Sequence, residues 1–404
     1  MGLGSGDGAT DINVKAMYEP DYAGYGIANL MASIRGALGS NGEQMAILPC
    51  PALCSAQLAD ARHVVLLVID GLGRAQLAQH APDGAIARGR VTDLTSVFPS
   101  TTASAVTTYM TGDAPITHGL TGWHTWFKEL GVIGAPLPFR IRGSGVDLSE
   151  LGVSAEQLFQ TRAISTRLAR RSILIHPQLL CNTHYTRAHS GTAQVRPYGT
   201  LSELVDAICA LGAETTPSYC YAYWPQLDSL AHVFGASSER AGAHLRELDE
   251  AVAQCAQRLR GSGTVLMVCA DHGFIDTRAD TRLNLADYPA LQRTLLLPLC
   301  GEPRMVYCYV RAGAQTDFKA LARDNLGHAA DVFSAQDVLD RGWLGPGTQH
   351  ARVHERLGTH VLVMKDSYCL TDQVMGETRE FRQIGVHGGL SDAELRVPLA
   401  IVGD

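Results

Sequence analysis

Asp271 and His272 stand side by side at the end of the apolar run TVLMVCADHG (264–273), and both are metal-type ligands that need partners once desolvated. Packing alone does not explain such a pair. Asp70 closes a second apolar run, HVVLLVIDG (63–71), where an aspartate also serves as turn former or helix cap. In LDSLAH, Asp228 and His232 lie four residues apart, so a helical turn would project both from one face; an N-cap aspartate beside a surface histidine is the alternative. His387 lies among glycines in GVHGGLSDAELRVPL, and glycine lets backbone and metal approach closely. Hydroxyls come from SVFPSTTASAVTTYMTG (96–112), in which small residues follow Thr102. A helix starting there would turn its N–H groups and dipole toward an anionic phosphoryl group, whereas a threonine-rich N-cap would do no chemistry.

These residues need elements that hold them at one edge. Short apolar runs at 63–71, 218–224, 264–273, 305–310, 360–364 and 397–403 alternate with amphipathic stretches, the pattern of a mostly parallel sheet covered by helices. In such a sheet ligands bind outside the carboxyl ends of the strands, where Asp70 and Asp271–His272 fall. The spacing predicts helices over 201–211, with Gly212 as the stop, and over 241–259. Residues 124–200 and 280–380 fit the alternation poorly and are read as insertions on one core, since no repeat or linker divides the chain.

The motifs occur together and in order, and the sequence resembles the alkaline phosphatase superfamily, most closely its type I phosphodiesterase/nucleotide pyrophosphatase branch. The shared elements are a strand followed by Asp-Gly, FPSTT followed by MTG-x2-P-x2-HG, Asp-x3-His, Asp-His-Gly and a late His-Gly-Gly, spanning 63–403. The resemblance implies one catalytic α/β domain over 1–404, a three-layer αβα sandwich with a mostly parallel central sheet, on which the insertions form a cap. It implies two divalent metal ions, zinc first with manganese or iron as alternatives: Asp70, Thr102, Asp271 and His272 would hold one, and Asp228, His232 and His387 the other. Asp and His are ligands of zinc, and two metals ~4 Å apart can clamp the attacking and leaving oxygens of an in-line displacement. Thr102 would be the nucleophile of a phosphothreonine mechanism, with Thr101 its rival, and His118 would shape the turn after the nucleophile helix.

Two positions depart from the family pattern. Ala103 follows the threonine where nucleotide pyrophosphatases carry an aromatic, and Trp123 stands where they carry an asparagine donor to the phosphoryl group. Trp123 and Trp126 as apolar walls, and His124 and Lys128 as anion donors, are the substitutes the segment 119–130 offers. The leading expectation is a phosphodiesterase or nucleotide pyrophosphatase. A phosphonate hydrolase or phosphomonoesterase of the same superfamily, and a metal-bearing binding module, are the alternatives.

Charge narrows the partners. Thirty-three Lys and Arg against 40 Asp and Glu leave a net charge of −7, which disfavours a nucleic-acid scaffold. Two divalent ions would reverse that sign locally, so a small anionic phosphate ester or phosphonate remains a fitting substrate. No window reaches the ~18 apolar residues of a membrane span, and MGLGSGDGATDINVK shows no secretory leader. The expectation is a cytoplasmic protein with reduced thiols; its oligomeric state is left open.

Overall fold

Seven strands form the central sheet: β1 (His63–Ile69), β2 (Arg90–Thr95), β3 (Arg171–Pro177), β4 (Gln194–Tyr198), β5 (Ser218–Trp224), β6 (Thr264–Cys269) and β7 (Arg396–Ile401). The computed structural model describes residues 17–39, 45–378 and 382–403. The amino-terminal stretch read above for a leader falls in 1–16, outside the described residues.

The strand order is β2-β7-β6-β1-β5-β3-β4. β1 pairs in parallel with β5 and β6, and β3 with β4 and β5, while β7 runs antiparallel to its neighbours β2 and β6. The mostly parallel sheet expected from the alternation is therefore present. All seven residues of β1 and of β5 are buried, as strands covered on both faces require.

Two parts of the pattern differ from expectation. The runs 305–310 and 360–364 enter a separate antiparallel sheet, ordered Cys300–Glu302, Met305–Cys308, His360–Met364 and Ala330–Ser334. A short run buried on both sides reads alike in either sheet. Within 124–200, residues 171–177 and 194–198 supply β3 and β4 instead of lying wholly in an insertion. β4 (QVRPY) is an edge strand carrying Arg196 and Pro197, which hides its periodicity.

Four helices matter to the site. α1 (Thr102–Thr111) is buried along its whole length, and its poor helix formers are held by packing and by Thr107, Thr108 and Thr111 hydroxyls bonding carbonyls one turn back. α2 (Leu201–Leu211) has the predicted bounds and ends at Gly212. α3 (Gln226–Phe234) follows β5, and α4 (Glu239–Arg258) begins two residues before the predicted start because Ser238 caps it.

A buried ion pair joins the two sheets. Arg304, in the turn between Glu302 and Met305, donates to Glu394 at 3.0 and 2.8 Å, and Glu394 also accepts from the Gly389 amide at 2.8 Å and the Ser391 hydroxyl at 2.6 Å. This fastens the loop carrying His387. Burial pushes the Glu394 carboxyl up, but Arg304, Ser391 and Gly389 outweigh it and hold it below the usual range. Ionised Glu394 thus stabilises the fold fully above about pH 4.3, and this contribution is lost as pH falls through its lower folded value. Glu394→Ala leaves Arg304 buried and unpaired and is expected to cost about 3–5 kcal/mol in urea unfolding. Glu394→Gln should show a shallower loss of stability on acidification than the native chain.

Candidate active site

One edge of the sheet collects every candidate ligand. Asp70 follows β1, Asp271 and His272 follow β6, α3 with Asp228 and His232 follows β5, and Thr102 lies just past β2. β7 runs the other way, so the chain entering it, with His387, comes from the same edge. Gly71 makes close packing there feasible. Its φ is +77°, and a Cβ would lie 2.4 Å from the Phe274 ring and 3.3 Å from Asp228 Cα.

The side chains form two touching clusters, Asp70–Asp271–His272 and Asp228–His272–His387, each with its ligand atoms within 4.8 Å of one another. His272 Nε2 lies 3.3 Å from Asp70 Oδ1, 3.5 Å from Asp271 Oδ2 and 3.1 Å from Thr102 Oγ1. Asp228 Oδ1 lies 3.3 Å from His232 Nε2 and 3.8 Å from His387 Nε2. Asp228 and His232 thus share a helix face, as their spacing predicted. The His272 and His387 rings stack with centroids 3.7 Å apart.

Hydrogen bonding orients these groups. His232, His272 and His387 each direct Nδ1 at a backbone carbonyl, of Gly385 (2.8 Å), Gly273 (3.1 Å) and Ser100 (3.3 Å). A carbonyl only accepts, so Nδ1 carries a hydrogen and Nε2 faces the cluster. Asp271 Oδ1 accepts from the Gly71 and His272 amides, each at 3.0 Å, and Asp70 Oδ2 accepts from the Tyr223 hydroxyl. The remaining oxygens, Asp70 Oδ1 and Asp271 Oδ2, and Asp228 Oδ1 with them, are buried without a hydrogen-bond partner.

Burial, followed by Asp228 and Asp271, pushes the Asp70 carboxyl well up. Burial, then His272 and His232, holds His387 well below its usual value and neutral. Burial works against charge on His232, but Asp228 and the Gly385 carbonyl raise it. Unpartnered carboxylate oxygens converging with imidazole nitrogens in a buried site are the donor set of divalent cations. The residues present therefore fit the implied metals.

A cavity of about 920 Å³ opens from this edge, lined by Thr102, Asp228, His232, His387, Trp123 and His124 among others. Burial and Arg142 push His124 down to about 3, so it presents a neutral imidazole and not a cation. Trp126 and Lys128 do not line the cavity. The chain turns away into the strand Thr125–Phe127, where Trp126 packs edge-on against Tyr309 and Lys128 pairs with Glu355 at 3.0 Å on the surface. His118 is buried, accepting from the Leu120 amide at 3.1 Å and meeting Thr108 at 3.2 Å, and so ties the turn to α1.

Several residues of the wall and of the ligand surroundings escaped the sequence reading. Arg142 lies in the wall with its charge already met by Asp372 at 2.7 Å and Glu377 at 2.9 Å. Glu302 is a lone acid in GEPR, and Tyr223 sits inside an apolar run; neither carries a spacing signal.

The family model for type I phosphodiesterase / nucleotide pyrophosphatase matches residues 64–390, and the chain belongs to that family, within the alkaline phosphatase superfamily. It is, as such, a hydrolase of phosphoesters. Solved structures share the fold at low identity. Murine ectonucleotide pyrophosphatase/phosphodiesterase 5 superposes with a TM-score of 0.64 at 16% identity over 84% of this chain and 88% of that one. An inactive threonine-to-alanine variant of it in complex with AMP gives 0.62 at 16%, over 84% and 87%. Phosphonoacetate hydrolase from Sinorhizobium meliloti 1021 in complex with phosphonoacetate gives 0.60 at 16%, over 85% and 90%. No curated protein matches the chain in sequence. Among the described residues no helix is long and apolar enough to cross a membrane.

Adding zinc to chelator-treated protein is expected to raise its thermal midpoint, by an amount equivalent to about 2.7 kcal/mol at a hundredfold excess over Kd. Asp271→Asn, which keeps the shape and removes the charge, should reduce that shift in the same thermal scan.

Proposed function

We propose that the chain is a two-metal-dependent hydrolase of phosphodiesters or nucleotide pyrophosphates that works through a phosphothreonine on Thr102. The observation that carries this reading is the Thr102 hydroxyl at the start of α1, 3.1 Å from His272 Nε2 and beside carboxylate oxygens that have no protein partner. The neighbouring Thr101 turns away, donating to Glu302 at 2.6 Å. Thr102 is therefore preferred over Thr101. The inactive threonine variant of the murine relative is in keeping with this choice.

Asp70, Thr102, Asp271 and His272 would hold one ion and Asp228, His232 and His387 the other, with zinc the ion their oxygen and nitrogen donors suit and manganese or iron alternatives. When bound, two divalent cations supply the charge that favours an ionised Thr102 and that offsets negative charge on the leaving oxygen. Thr102 Oγ1 forms the bond to phosphorus as the bond to the leaving oxygen breaks. The amides of Thr102 and Ala103 donate to no group of the described residues, and at a helix N-terminus they are placed to bind a phosphoryl oxygen. Water then attacks the phosphothreonine, the Oγ1–phosphorus bond breaks, and the hydroxyl is restored.

Segments within 124–200 and 280–380 supply His124, Arg142 and Arg282 to the cavity wall, and we read them as a cap that selects the leaving group. The buried free thiols of Cys220, Cys269 and Cys308 support a reducing, cytoplasmic setting. A second reading, cleavage of a phosphonate carbon–phosphorus bond, is favoured by Ala103: no aromatic stands beside the nucleophile to stack a base.

Thr102→Ala is expected to abolish turnover while two ions per chain remain, measured by elemental analysis; an active variant would contradict the assignment. On zinc-loaded protein, a bis-aryl phosphate or dinucleotide should give a higher kcat/KM than an aryl monoester or phosphonoacetate. Phosphonoacetate as the preferred member of that panel would select the second reading.

A further inference from the structure

Arg282 opens the short strand Arg282–Asn284, which pairs in parallel with Cys369–Thr371, and it lines the cavity. Its Nε donates to the hydroxyl of buried Thr277 at 2.9 Å. That hydroxyl donates to the Ile384 carbonyl at 3.0 Å, and the Ile384 amide donates to the His232 carbonyl at 2.8 Å. Arg282 is thus fixed to the segment that orients His232 and leads to His387. Among the described residues its two terminal nitrogens meet no acceptor, and neither is sealed from solvent. The acids close to it in the chain or in the same wall are committed elsewhere: Asp276 to the Ala236 and Ser237 amides, Asp280 to Arg278 at 3.1 Å, and Asp372 and Glu377 to Arg142 at 2.7 and 2.9 Å. Arg142 differs, since all three of its nitrogens bond protein oxygens.

We infer that Arg282 is a subsite for a second anionic group of the substrate, a carboxylate or phosphate carried by its leaving portion. This deepens the reading of Thr102 and the clusters as a phosphoryl-transfer site and rests on it. A guanidinium is always charged in a folded protein, so no titration is involved. With Nε held by Thr277, the edge left open is the pair of terminal nitrogens, whose parallel N–H groups match two oxygens of a carboxylate or phosphate. The strand pairing and the Thr277 bond order the side chain in advance, which lowers the entropy cost of gripping such a group. Position decides which part of the substrate it meets. In an in-line displacement the leaving oxygen departs opposite Thr102 Oγ1 and so faces Asp228, His232 and His387, and Arg282 is tied to the segment that holds those histidines. A neutral leaving portion would leave this charge unmatched in the wall.

The test uses three phenyl phosphodiesters on zinc-loaded protein, in which the nitrophenol leaving group is plain, bears a carboxylate or bears a phosphonate. For the native chain and for Arg282→Met, which keeps the aliphatic stem, kcat/KM on each charged ester is divided by that on the plain one, a ratio that does not depend on the folded fraction. Arg282→Met should lower this ratio by about 10–100-fold for at least one charged ester, mostly through KM, and Arg282→Lys should recover part of it. A fall for only one ester names the group the subsite takes. In a Thr102→Ala background, calorimetry should show the same charged ester binding more weakly once Arg282 is replaced. An unchanged ratio in Arg282→Met would overturn the subsite while leaving the phosphoryl-transfer reading intact. If the native chain hydrolysed none of the three esters, that reading would fall, and the subsite with it.

Discussion

Three aspartates meet in the interior with one oxygen each left unpartnered, and the architecture of the site follows from that electrostatic problem. Like charges ~4 Å apart repel by about 4 kcal/mol even at an effective dielectric of 20, so the cluster calls for positive charge. His232 is raised by Asp228 but His387 is held neutral by its surroundings, so the histidines meet that call only in part. Buried carboxylates and imidazole nitrogens converging on the same space are a candidate receptor for divalent cations, and the hydroxyl of Thr102 is placed at its rim.

The scaffold meets this demand by using one edge of a rigid sheet. Five chain segments deliver ligands there because the parallel strands end at that edge and β7, running in reverse, begins at it. The second sheet contributes the opposite wall of the cavity through Glu302. Arg304, two residues further on, grips Glu394 and thereby the loop of His387. Ligand geometry and cavity wall are thus coupled through a buried ion pair. A site built on strand ends supports precise chemistry, while the segments over it can vary to suit different leaving groups.

How far the sequence carried this account depends on which residues announce themselves. Asp271–His272 and Asp228-x3-His232 were legible because polar residues at the end of an apolar run, or at helical spacing, have few packing explanations. β1, β5 and β6 were legible as uninterrupted apolar runs. β4 was not, since an edge strand with Arg196 and Pro197 breaks the pattern that a buried strand shows, and the short run of β3 was read with the irregular stretch around it. The separate sheet of Met305–Cys308 and His360–Met364 was hidden for the opposite reason: burial on both faces looks the same in any sheet. Lys128 and Trp126 read as substrate contacts because they follow Trp123 closely, yet a three-residue strand carries them away from the cavity. Glu302 needed coordinates. Its partners Thr101 and Trp123 are 201 and 179 residues away in the chain, and no local spacing encodes such contacts.

The central claim is that the clusters hold two cations next to Thr102. Anomalous diffraction at the zinc edge from crystals grown with zinc tests it most directly. The account predicts two peaks, one against Asp70, Asp271 and His272 and the other against Asp228, His232 and His387. Crystals that bind zinc elsewhere and show no peak between these side chains would contradict it.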